Sequence, residues 1–195
     1  QNTNGVGQSA ELSRYLSRDK KVVAFVGTTK AGTSFLINNL ADLLSKSGIS
    51  TAIIDATTNR NSYYIYTKNE EALRRKVQNC FENLERGNVD GIEVSKNLSV
   101  FTAVPGKMGD SYNVEAMISN LAKNYSLVLI DCDFDTSFEF FGLAQEIYLV
   151  QSMDILTIQP LTAFLRDLQS TNLLNPSKLK IVINDIIFIL NLFFL

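Results

Sequence analysis

The chain has no histidine and no tryptophan, and only two cysteines occur among its 195 residues. Because histidine is the commonest general base and metal ligand, its absence argues against sites that depend on an imidazole. The two thiols, Cys80 and Cys132, lie far apart and form no CxxC pair, which argues against a zinc site. Isolated cysteines are typical of buried thiols in a reducing compartment, so we expect a cytoplasmic protein.

The chain also has no excess of charge of either sign. Its 18 basic and 20 acidic residues give a formal net charge of −2. Proteins that hold DNA non-specifically need a basic surface, yet from residue 156 onward only Arg166, Lys178 and Lys180 are basic. The charge therefore favours neither a nucleic acid nor an acidic membrane as the partner.

The two ends of the chain differ from the rest in composition. Residues 1–20 are polar and lack an initiating methionine, so we interpret them as a linker left after a preceding region. Residues 186–195 are apolar except for Asn191, but these ten residues are too few for a membrane-spanning helix, which needs about 20. We expect a truncated or altered end there, with contact to a membrane surface as the alternative, and a single folded domain over 21–185.

Apolar runs rich in β-formers alternate with segments of helical periodicity. The runs lack the alternation of a half-buried strand, which indicates strands buried on both faces of a parallel sheet. Strands are expected at 21–26, 51–55, 98–104, 126–131, 146–151 and 179–184, and helices at 34–47, 69–86, 112–124 and 160–171. This order predicts an α/β fold with a doubly wound, mostly parallel sheet and helices on both faces, in three layers.

Ligands bind such a sheet at the carboxyl ends of its strands, and four features of the chain fall at that edge. They are the segment 27–34 after the first strand, Asp55 after the second, Asp131 after the run 126–131, and Asn184 after the last strand. Their coincidence at one edge is stronger support for a binding site than any of them alone.

The segment after the first strand has the outline of a phosphate-binding loop. It consists of Gly27, Thr28, Thr29, Lys30, Ala31, Gly32, Thr33 and Ser34. It fits the pattern G-x-x-x-x-G-K-[ST] except that Thr33 replaces the lysine. The glycines allow N–H groups to turn toward an anion, and a helix that begins near Thr33 adds its dipole. We therefore predict that these eight residues bind nucleotide phosphates and that the Ser34 hydroxyl is a ligand of Mg²⁺.

The missing lysine lowers the expected affinity. A charge-assisted hydrogen bond to phosphate contributes about 1.5–3 kcal/mol, or roughly one to two decades in affinity. Lys30 is a candidate for compensation from inside the loop, with a solvent-directed side chain as the alternative. A glycine-rich turn that holds no ligand remains the alternative for the whole loop.

Acidic residues follow the apolar run 127–130. Asp131 stands where P-loop proteins carry the acid that holds Mg²⁺, so we predict that Asp131 is the second Mg²⁺ residue. Asp133 and Asp135 follow at two-residue spacing, and on an extended chain all three carboxylates can face one side. Three adjacent acids need a cation or raised pKa values, which favours a metal; a solvated acidic loop is the alternative for Asp133 and Asp135.

Over roughly residues 20–184 the chain resembles the ParA/MinD-type deviant P-loop ATPases. The likeness rests on VVAFVGTTKAGTSFLINNLADLLSKSGISTAIIDA, YSLVLIDCD, AQEIYLVQSMDILTIQPLTAFLRDL and KLKIVIND. It implies ATP and Mg²⁺ as cofactors and a homodimer that closes face to face across the nucleotide. It also implies that Asn184 contacts the adenine base and that Asp55 and Asp131 lie at nucleotide-sensing switches.

The chain departs from this family at three charged positions. The family loop reads K-G-G-x-G-K-[ST], but Thr28 and Thr33 replace both lysines. Asp55 matches the first acid after the second strand, whereas Thr57 replaces the second acid, which positions Mg²⁺ and the attacking water. Loss of all three groups argues against efficient hydrolysis. The degenerate loop resembles the CpaE/TadZ branch, whose members act as localisation factors for pilus and secretion assembly.

Four functions follow from this resemblance. The favoured one is a nucleotide-binding positioning protein that dimerises and hydrolyses ATP slowly or not at all. The second is an active partitioning ATPase, which the thin basic charge does not support. The third is a relative of the capsule-type tyrosine kinases, suggested by the cluster of Tyr63, Tyr64 and Tyr66. The last is a structural domain whose loop holds no nucleotide.

Overall fold

The computed structural model describes residues 21–28, 30–68, 70–106, 112–152, 156, 158–171 and 176–184. The strands are β1 Lys21–Gly27, β2 Thr51–Asp55, β3 Ile92–Ser95, β4 Leu98–Phe101, β5 Leu127–Cys132, β6 Glu146–Gln151 and β7 Leu179–Ile183. The helices are α1 Thr33–Lys46, α2 Asn61–Thr67, α3 Glu71–Val77, α4 Cys80–Glu85, α5 Val114–Asn124, α6 Phe138–Leu143 and α7 Ile158–Ser170, and a 3₁₀ turn spans Pro176–Lys178. The linker and the apolar tail that the sequence predicts lie outside the described residues.

The seven strands form one sheet in the order β3-β4-β2-β5-β1-β6-β7. Every neighbouring pair is parallel except β3 and β4, which are antiparallel. The predicted doubly wound, mostly parallel sheet is therefore confirmed. Strands β2, β5 and β1 are neighbours in this order and run parallel, so the loops that follow them emerge at one edge of the sheet.

Two hydrophobic cores cover the two faces of the sheet. Successive side chains of a strand point to opposite faces, and Ala24 accordingly joins one core while Val23 joins the other. Helices α4 to α7 cover the first face and helices α1 and α3 the second. Strand β2 is buried at every position because helices cover both of its faces. The three-layer prediction is confirmed on this evidence.

Some predicted boundaries are wrong. The single helix expected over 69–86 is broken at Gln78 and Asn79 into α3 and α4, which pack against opposite cores through Val77 and Phe81. The strand expected over 98–104 ends at Phe101. Strand β3 and the short helices α2 and α6 were not predicted, because segments of four to seven residues carry too little periodicity. In the described part of the chain, no helix is long and apolar enough to cross a membrane.

Candidate nucleotide-binding site

The loop between β1 and α1 turns sharply before the helix begins. Its amide at Ala31 donates to the Thr28 carbonyl over 3.0 Å. Lys30 and Gly32 have φ values of 70° and 81°, in the left-handed region. Glycine adopts this conformation at no steric cost, whereas a lysine there is uncommon. The predicted start of the helix at Thr33 is confirmed, and Thr29 lies outside the described residues.

Gly27 is required by close packing. A β-carbon at this position would lie 2.4 Å from Thr33 Oγ1 and 2.6 Å from the Val150 carbonyl oxygen. The Thr33 side chain therefore folds back against the start of the loop, at the position where the sequence pattern carries a lysine. Any side chain at Gly27 would displace both Thr33 and strand β6.

Three buried oxygens in this region lack a hydrogen-bond partner among the described residues. They are Thr28 Oγ1, Thr33 Oγ1 and Asp131 Oδ1. A buried polar atom without a partner costs about 1–3 kcal/mol, so three at one place need an explanation. All three residues line one cavity of about 570 Å³, a volume typical of small-molecule sites. Two hydroxyl donors for phosphate and one carboxylate oxygen for a cation fit a magnesium nucleotide.

The cavity has two walls and an apolar rim. The near wall is the phosphate loop with Lys30 and Ser34, and the far wall comprises Thr57, Thr58, Asn59, Asn61 and the segment 131–135. Phe35, Leu156 and Pro160 contribute apolar surface. The walls come from the ends of β1, β2 and β5, the edge where the sequence predicts the site.

The two predicted Mg²⁺ residues both line the cavity, and the Asp131 Oδ1 atom has no partner among the described residues. Burial, followed by the charge of Asp55, raises the pKa of Asp131 to about 7, and the Ser34 side chain partly opposes this shift. A cation beside this carboxylate would favour its ionised form. Among the described residues, no group of three or more acidic or thiol side chains could hold a metal ion.

Asp55 uses both carboxylate oxygens inside the protein. Oδ1 accepts from the Thr57 amide at 3.1 Å and the Thr57 hydroxyl at 2.6 Å. Oδ2 accepts from the Ser62 amide at 2.8 Å and the Thr102 hydroxyl at 3.3 Å. Asp55 is fully buried and does not belong to the cavity walls. It holds the loop after β2 in place, and its predicted switch role would act through that loop.

Asp133 ties the loop after β5 to the loop after β2. Its Oδ2 accepts from the Thr58 amide at 2.5 Å, and its Oδ1 accepts from the Asp135 amide at 3.1 Å and the Thr136 hydroxyl at 3.0 Å. Asp133 is half-buried with both carboxylate oxygens bonded to loop groups, whereas Asp135 is exposed, as the alternative of a solvated acidic loop expects. The chain also turns at Phe134 and Asp135, so the expected extended spacing does not hold.

Sequence reasoning missed Arg60. Its guanidinium donates to the Asp55 carbonyl and lies 5.0 Å above the Phe81 ring. Burial lowers the pKa of Arg60, while the nearby acids Asp55 and Asp133 oppose the shift. The turn-forming run 57–61 marks a loop, but nothing in it shows which side chain enters the core. Arg60 supports the loop from behind and is not part of the cavity walls.

Asn184 lies against the phosphate loop. Its Nδ2 donates to the Ala31 carbonyl at 2.8 Å, and its amide donates to the Gln151 carbonyl at 2.8 Å. The structure thus brings Asn184 to the same loop as Gly27 and Ser34. Its contact with an adenine base stays a prediction.

Comparison with known proteins places this site in a known fold. No protein-family model and no curated protein matches the sequence. Several solved structures do match in fold. A plasmid partition protein from Borrelia burgdorferi B31 bound to AMPPNP matches with a TM-score of 0.66 at 18% identity, and the match covers 85% of this chain and 76% of the partition protein. A ParA family ATPase from Chlorobium tepidum TLS matches with a TM-score of 0.68 at 15% identity. The match covers 84% of this chain and 73% of the ATPase.

This chain has the ParA/MinD-type fold. Cobyrinic acid a,c-diamide synthase from Mycobacterium smegmatis, with a bound ATP analog and magnesium, matches with a TM-score of 0.59 at 14% identity, covering 83% of this chain and 72% of its own. At such low identities the ParA/MinD-type fold is what these matches establish. A fold of this kind hosts many activities, so the function depends on the residues of this site.

Proposed function

We propose that this chain binds ATP with Mg²⁺ at residues 27–34 and hydrolyses it slowly or not at all. The observation that carries the proposal is the convergence of three unpartnered buried oxygens, those of Thr28, Thr33 and Asp131, on one cavity. They lie at the carboxyl ends of adjacent strands, where this class of sheet binds ligands. Matches to nucleotide-bound proteins of the same fold support the same ligand class.

The residues around the cavity fit Mg²⁺. Ser34 and Asp131 would hold the ion, directly or through water, and Mg²⁺ when bound would neutralise phosphate charge. Thr28 and Thr33 would donate hydroxyl hydrogen bonds to phosphate oxygens. The amino-terminal end of the 14-residue helix α1 would add favourable electrostatics.

The residues expected to drive hydrolysis are missing or engaged elsewhere. Neutral hydroxyls at Thr28 and Thr33 cannot match the charge that lysines place on a transferring phosphoryl group. The buried Thr57 hydroxyl donates to Asp55 over 2.6 Å, so it is engaged within the protein. A site of this kind would retain nucleotide longer than it would turn it over.

We further propose that the chain acts as a dimerising positioning factor in the cytoplasm. Phe35 and Leu156, which line the cavity, are 61% and 79% exposed, as suits a surface that another protein covers. A second copy of this chain is the proposed partner. Pilus or secretion assembly proteins are further candidates, by resemblance to the CpaE/TadZ branch.

The contacts of the tyrosine cluster oppose the kinase alternative. Tyr66 donates its hydroxyl to Asn38 Oδ1 at 2.6 Å, and Tyr63 packs against the second core. Tyr64 is the exposed member. A cluster held by packing is poorly suited to serve as a phosphorylated tail.

Calorimetric titration of ATP and Mg²⁺ into the chain tests the proposal. We expect a roughly micromolar dissociation constant for the unmodified chain and at least a tenfold weaker one for Ser34→Ala, because that variant loses a Mg²⁺ ligand. Ser95→Ala, an exposed position on the edge strand β3, is the matched control and should bind normally. Absence of binding, or equal binding by both variants, would contradict the proposal.

A further inference from the structure

Resting on the nucleotide binding proposed above, we propose that the cavity discriminates against a terminal third phosphate, so that ADP binds at least as tightly as ATP. The proposal comes from the charges and hydrogen bonds of the far wall. Binding by itself would then not select the triphosphate.

Few basic side chains line the cavity. Among the described residues that line it, Lys30 is the only basic one, while Asp131, Asp133 and Asp135 are acidic. Arg60 does not supply the missing charge, because its guanidinium is bonded to the Asp55 carbonyl and stacked on Phe81. With Mg²⁺ on both nucleotides, the triphosphate still brings one further negative charge into this acidic cavity.

Several donors of the far wall are already bonded to acids. The amide and hydroxyl of Thr57 both donate to Asp55. The amides of Thr58 and Asp135 both donate to Asp133. These N–H and O–H groups would otherwise be available to a terminal phosphate. The carboxylates that line the cavity are those of Asp131, Asp133 and Asp135, and a phosphate that approached them would meet like charge.

The near wall, in contrast, offers hydrogen-bond donors that are not bonded to acids. The Thr28 and Thr33 hydroxyls have no partner among the described residues, and helix α1 begins at Thr33. These are neutral donors, and they suit the phosphates that lie within the loop. They lack the formal charge that would compensate an extra phosphate directed at the far wall.

Parallel calorimetric titrations with ADP and with ATP, both in excess Mg²⁺, test this proposal. We expect the dissociation constant of ADP to lie between that of ATP and about one tenth of it. Asp135→Asn removes one exposed acid from the far wall and should improve ATP binding about two- to tenfold more than ADP binding. Glu139→Gln, an exposed acid of α6 outside the cavity, makes the same charge change and should leave the ratio unaltered.

The outcomes separate this proposal from the one on which it rests. If both nucleotides bind and ATP binds tighter, the discrimination is refuted while nucleotide binding stands. An unchanged ADP-to-ATP ratio in Asp135→Asn would likewise refute the role of the acidic wall. If neither nucleotide binds, the proposed function itself fails.

Discussion

Replacing Thr33 with lysine should restore the charge that the loop lacks. Thr33 is 7% exposed, and its Oγ1 lies 2.4 Å from where a β-carbon of Gly27 would be. The substitution removes one unpartnered hydroxyl and brings an ammonium group toward the cavity that Thr33 lines. A charge-assisted hydrogen bond to phosphate is worth about 1.5–3 kcal/mol net, so Thr33→Lys should bind ATP roughly tenfold to a hundredfold more tightly.

The control must separate a local contact from a change in net charge. Asn39→Lys adds the same charge to the same helix at an exposed position outside the cavity, and loses only an amide contact to the Phe35 carbonyl. Calorimetry on the unmodified chain and both variants, with ATP and with ADP, gives the comparison. We expect ATP to gain more than ADP in Thr33→Lys. Equal ATP affinities for Thr33→Lys and Asn39→Lys would refute the reasoning.

Three further predictions concern stability. Gly27→Ala should lower the free energy of unfolding by about 1–3 kcal/mol in a urea titration, because its β-carbon would overlap Thr33 and the Val150 carbonyl; an unchanged midpoint would contradict this packing. Asp131→Asn should stabilise the nucleotide-free chain at pH 8 by about 1–3 kcal/mol, because it removes a buried charge with an unpartnered oxygen. The same variant should bind ATP with Mg²⁺ more weakly. A lower free energy of unfolding in Asp131→Asn would contradict the prediction. Burial raises the pKa of Glu146, but hydrogen bonds from Lys21 and Lys180 outweigh it and lower that pKa to about 2. The stabilisation that ionised Glu146 contributes should be complete above its ordinary pKa of 4.5 and be lost as the pH falls toward 2. The urea midpoint should therefore depend less on pH in Glu146→Gln than in the unmodified chain over that window. Parallel pH profiles of the two proteins would contradict this prediction.

The sheet and the loop could be predicted because their causes are local. Strands β1, β2 and β5 consist mostly of apolar residues, and Gly27, Asp55 and Asp131 lie at or one residue before their carboxyl ends at the same edge. The glycine spacing of the loop and the serine after it mark the start of α1. These local signals are what predict Ser34 and Asp131 at one site, and both residues line the cavity.

The far wall could not be predicted because it depends on contacts between distant residues. The Thr58 amide meets Asp133 across 75 positions of sequence, and the Thr102 hydroxyl meets Asp55 across 47. Nothing in the local pattern around Arg60 shows that its side chain turns inward onto Phe81. The break between α3 and α4 likewise follows from packing on two opposite cores, which helix propensity does not encode.

The most direct test of the central claim is a crystal structure of the chain with ADP and Mg²⁺. The account predicts that phosphate oxygens accept hydrogen bonds from the hydroxyls of Thr28 and Thr33. It also predicts that the metal lies beside Ser34 and Asp131, bound to them directly or through one water. A nucleotide bound outside the cavity, or a metal that meets neither Ser34 nor Asp131, would contradict the account.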